Sequence, residues 1–489
     1  MSGNRSRALG LGVAWTYAGV LVQTAIGLLL LGYAVRALGP SAYAPFAVLL
    51  AVQGLLYVVD FGLGMGVVAS ASRAFATSDE GERARALRPV EIAHQVYLRI
   101  GSGIGALALL ASPVVWWAEG PAIAVTAALV VASAGLNLAL ACPLGAATGA
   151  RRFDVIAAST VAGSVTTLLV VLSFLHDGGL VVLGIGQLAS VLVARLVLVL
   201  ALRDSPAAFP LAWRPVERQD VRRVVAGASP LVFANVGNQV INTVNLVTIG
   251  FVANASAVGI FRAASSVPTQ AVGLLFRGYD VAFPNIVTAG EPAAQERLNA
   301  DLMRLVSVVG GIGLGWIVAE RGPLSTDLLG HASTTAAYVL AIFALVWIVN
   351  IPAHGLSLLL IGRDAQRVFV PLTVFEGVFN IALTVVLGAR WGATGAASAC
   401  LVSIAISNFV LLPILSFRHA AWTARRGVVV AGYLPAALGL GTALAVCALI
   451  PGSWGAYLAG LALLLVAVPV VAVVVGPRIR LLLREAIAR

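Results

Sequence analysis

Two runs of polar side chains interrupt an otherwise apolar chain at helical spacing. In the first, Asn235, Asn238, Asn242 and Asn245 recur three, four and three residues apart, which on an α-helix draws one continuous amide stripe. In the second, Arg262, Ser266, Gln270, Gly273, Arg277 and Asp280 recur at intervals of four, four, three, four and three. Amides carry both donors and acceptors and so match hydroxyl-rich ligands, whereas guanidinium forks match phosphate oxygens. The alternatives are that the amides only join neighbouring helices, that Arg277 pairs with Asp280 one turn away, and that Arg262 snorkels to a membrane surface. A third set, Thr373, Glu376, Asn380 and Thr384, places a carboxyl near the middle of an apolar run. There it is either a proton or sodium site or the buried partner of an arginine. Asp280 and Asp60, the latter in "VVDFGLG", are the other coupling-ion candidates; Asp60 could instead cap or pair at a helix end. Arg195 stands without such company and reads as structural.

No catalytic or metal chemistry competes with these stripes. Cys142, Cys400 and Cys447 lie in or beside apolar runs without metal-ligand or disulfide spacing, and they read as small packing residues. The five histidines, His94, His176, His331, His354 and His419, are scattered, so no zinc constellation forms. "DFGLGMG" and "GSGIG" match nucleotide motifs by letter only, since glycines inside apolar helices serve close helix contact. The longest inside loop, 71 to 97, holds no convergent acid, base or metal set. A non-enzyme with no cofactor and no metal is expected.

The elements that position the stripes follow from composition. Of 489 residues, 60% are hydrophobic and 10% charged, which soluble domains do not reach. Apolar runs of the roughly 20 residues needed to cross a bilayer follow one another with short polar breaks, and in lipid such runs must be helices. About fourteen spans fit between residues 8 and 476. The expected fold is an all-α integral membrane protein. The 31 basic residues are all arginine. With the N-terminus inside, the inner segments hold nearly all of those outside the spans, and the outer loops hold only Arg36, Arg321 and Arg390. The positive-inside rule then puts both termini in the cytoplasm. The net charge of +11 is dispersed over these short segments, facing membrane lipid rather than forming a nucleic-acid site.

An internal repeat at an offset of 215 organises the spans. "LGPSAYAPF" at 38 falls on "ANASAVGIF" at 253, and "LLVVL" at 168 falls on "LTVVL" at 383. Six helices per copy give parallel lobes related by an axis along the membrane normal. The expected domains are an N-lobe 1–202, a cytoplasmic linker 203–223, a C-lobe 224–417 and a C-terminal helix pair with its tail 418–489.

The segments "AVRALGPSAYAPF", "VVDFGLG", "ATGARRFDV", "NVGNQVINTVNLVTIGFVANASAVGIFRAASSV", "IGRDAQRVFV" and "NIALTVVLGARWGATGAASA" resemble, in serial order over the first twelve spans, the polysaccharide transporter branch of the multidrug/oligosaccharidyl-lipid/polysaccharide exporter superfamily, the Wzx-like flippases. The resemblance implies two lobes around a central cavity. It also implies transport of a polyprenyl-diphosphate-linked oligosaccharide from the inner to the outer leaflet of a bacterial cytoplasmic membrane. Protons, sodium ions or membrane potential would be the driving force, and the oligomeric state stays open. Many relatives carry a charged residue near Asn245, where this chain has an amide, so ion contacts do not transfer there. The substrate-binding set is then Arg262 and Arg277 for the diphosphate, with Asn238, Asn242, Asn245 and Gln270 for the glycan. Two other readings remain: a cation-coupled drug antiporter of the same superfamily and a lipid II flippase.

Overall fold

The computed structural model describes residues 2–56, 63–77, 79–150, 152–203, 215–222, 245–288, 292–363, 365–416 and 428–450. Every regular element among them is helical, as an apolar chain with no water to satisfy its backbone requires. Contacts divide the chain into two compact units, Met1–Val247 and Thr248–Arg489. The first holds Ser2–Leu38 (α1), Pro40–Leu56 (α2), Leu63–Ala76 (α3), Glu80–Glu119 (α4), Pro121–Ala139 (α5), Ala141–Gly149 (α6) and Phe153–Leu202 (α7). The second holds Ala255–Thr288 (α8), Pro292–Ala319 (α9), Arg321–Leu329 (α10), Thr334–Gly362 (α11), Phe369–Ile406 (α12) and Leu434–Leu449 (α13).

Eight helical stretches among the described residues are long and apolar enough to cross a bilayer. Two of these are double crossings. The 50 residues of α7 would run about 75 Å as one rod, more than twice a hydrocarbon core. The rod breaks at Gly179, with φ 54° and ψ −135°, and α12 breaks at Gly392 with φ 54° and ψ −131°. A side chain at either position would be strained, so glycine makes the hairpin.

The two glycines also show the repeat. They lie 213 residues apart, and the turns at Gly39 and Asn254 lie 215 apart. The offset is not constant, however. The third crossing of each lobe ends at Glu119 and Ala319, only 200 residues apart. Lobe one spends the difference on an extension at the start of α4, and lobe two recovers it with the short helix α10 after Ala319.

That extension revises the loop expected at 71 to 97. Asp79 caps α4, its Oδ1 accepting from the backbone N–H of Gly81 at 2.7 Å and of Glu82 at 3.3 Å, so the helix starts at Glu80. Arg88 Nη2 donates to Asp220 Oδ2 at 3.1 Å, and Val221 packs against the core around Val90 and Tyr97. Residues 218–222 of the linker are thereby laid onto lobe one.

Small residues set the closest helix contacts. A Cβ on Gly101 would lie 2.3 Å from the Gly135 carbonyl oxygen, and one on Gly135 would lie 2.5 Å from that of Gly101, so α4 and α5 touch backbone to backbone. The same device joins α9 to α13. A Cβ on Gly311 would meet the Ala436 oxygen at 2.3 Å, and one on Gly439 would meet the Val308 oxygen at 2.7 Å. Helix α13, the first of the expected C-terminal pair, thus packs closely against α9. Large apolar residues such as Leu110, Trp117 and Leu438 stand exposed, as a lipid-facing surface permits.

Candidate functional site

The second stripe lies on α8, and the contacts on the adjoining face of that helix orient it. Trp347 Nε1 of α11 donates to Thr269 Oγ1 at 3.1 Å. Phe261 meets Phe343 edge-on at 5.2 Å, and Phe276 stacks on His354 with ring centroids 4.0 Å apart. Roughly a quarter turn away by helical register lie Arg262, Ser266, Gln270 and Gly273. Ser266 is buried, and its hydroxyl donates to the Arg262 carbonyl. Arg262 and Gln270 are half-buried, and Gly273 is exposed with open space where its Cβ would stand. Neither the Arg262 guanidinium nor the Gln270 amide has a partner among the described residues. A guanidinium held in a membrane helix without a carboxylate keeps its full capacity for an anionic ligand. Arg277 and Asp280 continue the stripe along the α8 backbone, and their side chains lie outside the description.

Of the amide stripe, Asn235, Asn238 and Asn242 lie outside the described residues, as does Asp60. Asn245 is 2% exposed and already engaged within the fold. The third set lies on α12. Asn380 and Thr384 are buried. Thr384 Oγ1 donates to Asn380 Oδ1 at 3.1 Å, and Asn380 Nδ2 points at Cys400 Sγ at 4.0 Å, the long reach of a weak sulfur acceptor. These groups therefore join the two arms of the α12 hairpin. Because Gly392 folds α12 back on itself, residues of its first arm meet its second arm. Glu376 is half-buried at the open end of this seam. Ser403 Oγ donates to its backbone oxygen at 3.2 Å, and the Ser407 hydroxyl stands close to its carboxyl without closing a hydrogen bond.

Beyond Ser407 the helix widens into a π-helical turn, Ser407–Leu411, matched by a second at Val429–Tyr433. Asn408 Nδ2 donates to Asn350 Oδ1 at 3.2 Å, Tyr433 Oη donates to the Asn408 carbonyl at 3.4 Å, and the Phe409 and Tyr433 rings lie 4.3 Å apart. Such bulges re-aim side chains within a helix and recur at functional sites.

Lobe one carries a polar set that the sequence reading passed over. Gln53 Nε2 donates to Ser133 Oγ at 3.1 Å, and Gln187 Nε2 donates to Gln53 Oε1 at 3.4 Å. Arg195 has company after all, since its Nε and Nη2 both donate to Asn137 Oδ1. Single amides in apolar runs were the available signal, but they do not repeat along one helix and so draw no stripe. Among the described residues no three His, Cys, Asp or Glu side chains gather as metal ligands.

The fold is that of known transporters. A multidrug resistance MATE family transporter of the MOP superfamily, solved inward-facing, matches with TM-score 0.63 at 15% identity over 81% of this chain and 96% of its own. A MATE structure in the straight conformation matches with TM-score 0.59 at 16% identity over 84% and 96%. A MOP superfamily transporter from Pyrococcus furiosus, described as having a binding pocket of reverse polarity, matches with TM-score 0.54 at 16% identity over 87% and 96%. Comparison with curated proteins returns no match. The sequence model of one family, described as polysaccharide biosynthesis protein, matches residues 9–289. This multi-pass, all-helical membrane chain belongs to the polysaccharide biosynthesis protein family.

Proposed function

We propose that this protein moves polyprenyl-diphosphate-linked oligosaccharide units across a bacterial cytoplasmic membrane for cell-surface polysaccharide synthesis, with both termini in the cytoplasm. The observation that carries the reading is the half-buried Arg262 guanidinium, which has no counter-charge among the described residues. Diphosphate is the group common to all such cargoes, and a fixed cation beside an open polar face can grip it whatever the sugar. Arg277 shares that task, Gln270 and the Asn238 and Asn242 amides meet the glycan, and Asn245 joins them once its helix moves. Membership of a polysaccharide biosynthesis family supports the reading. The MATE likeness keeps a cation-coupled drug antiporter as the second reading, and lipid II shares the diphosphate chemistry of the first.

Glu376, facing Ser407 at the mouth of the hairpin, is our candidate for the group that couples transport to a proton or sodium gradient. Asp280 and Asp60 are its alternates. The test is flipping of a fluorescent diphosphate-linked oligosaccharide in proteoliposomes. Wild type should move label to the far leaflet under a gradient, and Glu376→Gln should lose most of that rate while binding cargo as before. An unaltered dependence on pH and sodium in the variant would assign Glu376 to structure, and no flipping by wild type under any gradient would count against the function itself.

A further inference from the structure

Inside lobe two, away from the Arg262 stripe and besides the Ser407 hydroxyl, four buried polar atoms lack partners among the described residues: Tyr279 Oη, His354 Nε2, Ser307 Oγ and Asn299 Oδ1. Ring contacts apart, among them Phe276 on Tyr279 at 6.3 Å, none of the four side chains has a further partner. They share one interior. The Tyr279 and His354 rings lie 5.3 Å apart, edge to face. Tyr279 Oη and the end of Met303 both crowd the place where a Cβ on Gly355 would stand, at 3.0 and 2.8 Å, so α8, α9 and α11 meet there. Asn299 and Ser307 flank Met303 by one turn on either side of the same α9 face. Orphaned polar atoms are uncommon in native interiors, and four around one helix junction in a chain of this kind form a site.

We propose that this junction is an internal water-binding site of lobe two. The chemistry selects water. The set mixes donors and acceptors and carries no carboxylate to hold a metal ion, and each atom requires a partner that no protein group supplies. Ser307 and Asn299 lie about 12 Å apart along the helix axis, which a single molecule does not span, so the waters form a short file with Tyr279 and His354 beside it. Gly355, without a side chain, lets Tyr279 Oη and the flexible Met303 thioether come close to α11. A wet junction lets α8 exchange hydrogen-bond partners with α9 and α11 as the helices shift, where a dry one would have to break contacts outright. The proposal stands whatever cargo the protein carries.

X-ray-generated hydroxyl-radical labelling in 18O water reads the site directly, because buried side chains are labelled only where water is held against them. Wild type in lipid nanodiscs should incorporate 18O at Tyr279 and Met303 despite their burial, while equally buried Leu314 and Leu340 stay unlabelled. Tyr279→Phe should then lower the thermal midpoint by about 2 to 4 °C, since it strips a water of a partner. Absence of 18O at both residues overturns the proposal. So does a midpoint in Tyr279→Phe that is unchanged or raised, the result expected when an unsatisfied hydroxyl is deleted from a dry core.

Discussion

Arg262→Ala is expected to weaken binding of polyprenyl-diphosphate-linked sugars by roughly tenfold or more, whatever the glycan, because a charge-assisted hydrogen bond in a partly desolvated site contributes about 1.5 to 3 kcal/mol. The effect should be specific to charge. Arg262→Lys restores part of the affinity as a point cation but not the forked geometry. Arg277→Ala should behave alike, and changes at Asn238 or Asn242 should instead reorder preference among glycans. The folded state should tolerate the arginine change, since the guanidinium has no protein partner among the described residues whose loss would leave a buried charge behind. Isothermal titration or native mass spectrometry on monodisperse variants measures this. Wild-type affinity in both alanine variants would return the arginines to the scaffold.

A large loss of stability is expected at Gly101→Val. Gly101 and Gly135 face one another's carbonyl oxygens across α4 and α5, and a Cβ at the first would sit 2.3 Å from oxygen, far inside contact distance. Neither helix can yield locally, because the obstacle is backbone on both sides, so the pair must separate and lose packing along its length. A cost of about 1 to 3 kcal/mol follows for the overpacked site, read as a fall of several degrees in thermal midpoint or as loss of monodisperse protein. Gly103→Val on the same helix is the control. Nothing lies within 4 Å of its Cβ position, and its midpoint should stay within about a degree of wild type. Equal midpoints for the two variants would mean that α4 and α5 do not pack through this contact.

What the sequence disclosed and what it withheld divide along a physical line. Crossings were legible because lipid forces apolar length, whereas the hairpins at Gly179 and Gly392 show in the backbone, where each glycine has a positive φ. The arginine and glutamine positions on α8 were legible as a stripe because 3.6-residue periodicity is a local property. Which neighbour a face meets is not local. Asn380 and Thr384 have the same spacing as the α8 stripe but face the second arm of their own hairpin, and nothing in their spacing distinguishes the two cases. The helical character of 80–97 depended on Asp79 acting as a cap, and the π-helical turns at Ser407 and Val429 leave no compositional trace. Tyr279 and His354 each read as an ordinary polar residue in an apolar run, because their shared lack of partners appears only when three helices converge.

The central claim concerns the class of cargo, and competition binding tests it most directly. Purified wild-type protein in nanodiscs, loaded with a fluorescent polyprenyl-diphosphate oligosaccharide, is titrated with unlabelled cargo of a different glycan, with the corresponding polyprenyl alcohol, and with a lipophilic cationic drug. Our account predicts that the diphosphate-linked competitor displaces the probe at least about tenfold more effectively than either of the others, the margin one charge-assisted contact provides. Displacement by the cationic drug at equal or lower concentration, with the diphosphate-linked competitor inert, would contradict it and make the chain a drug transporter.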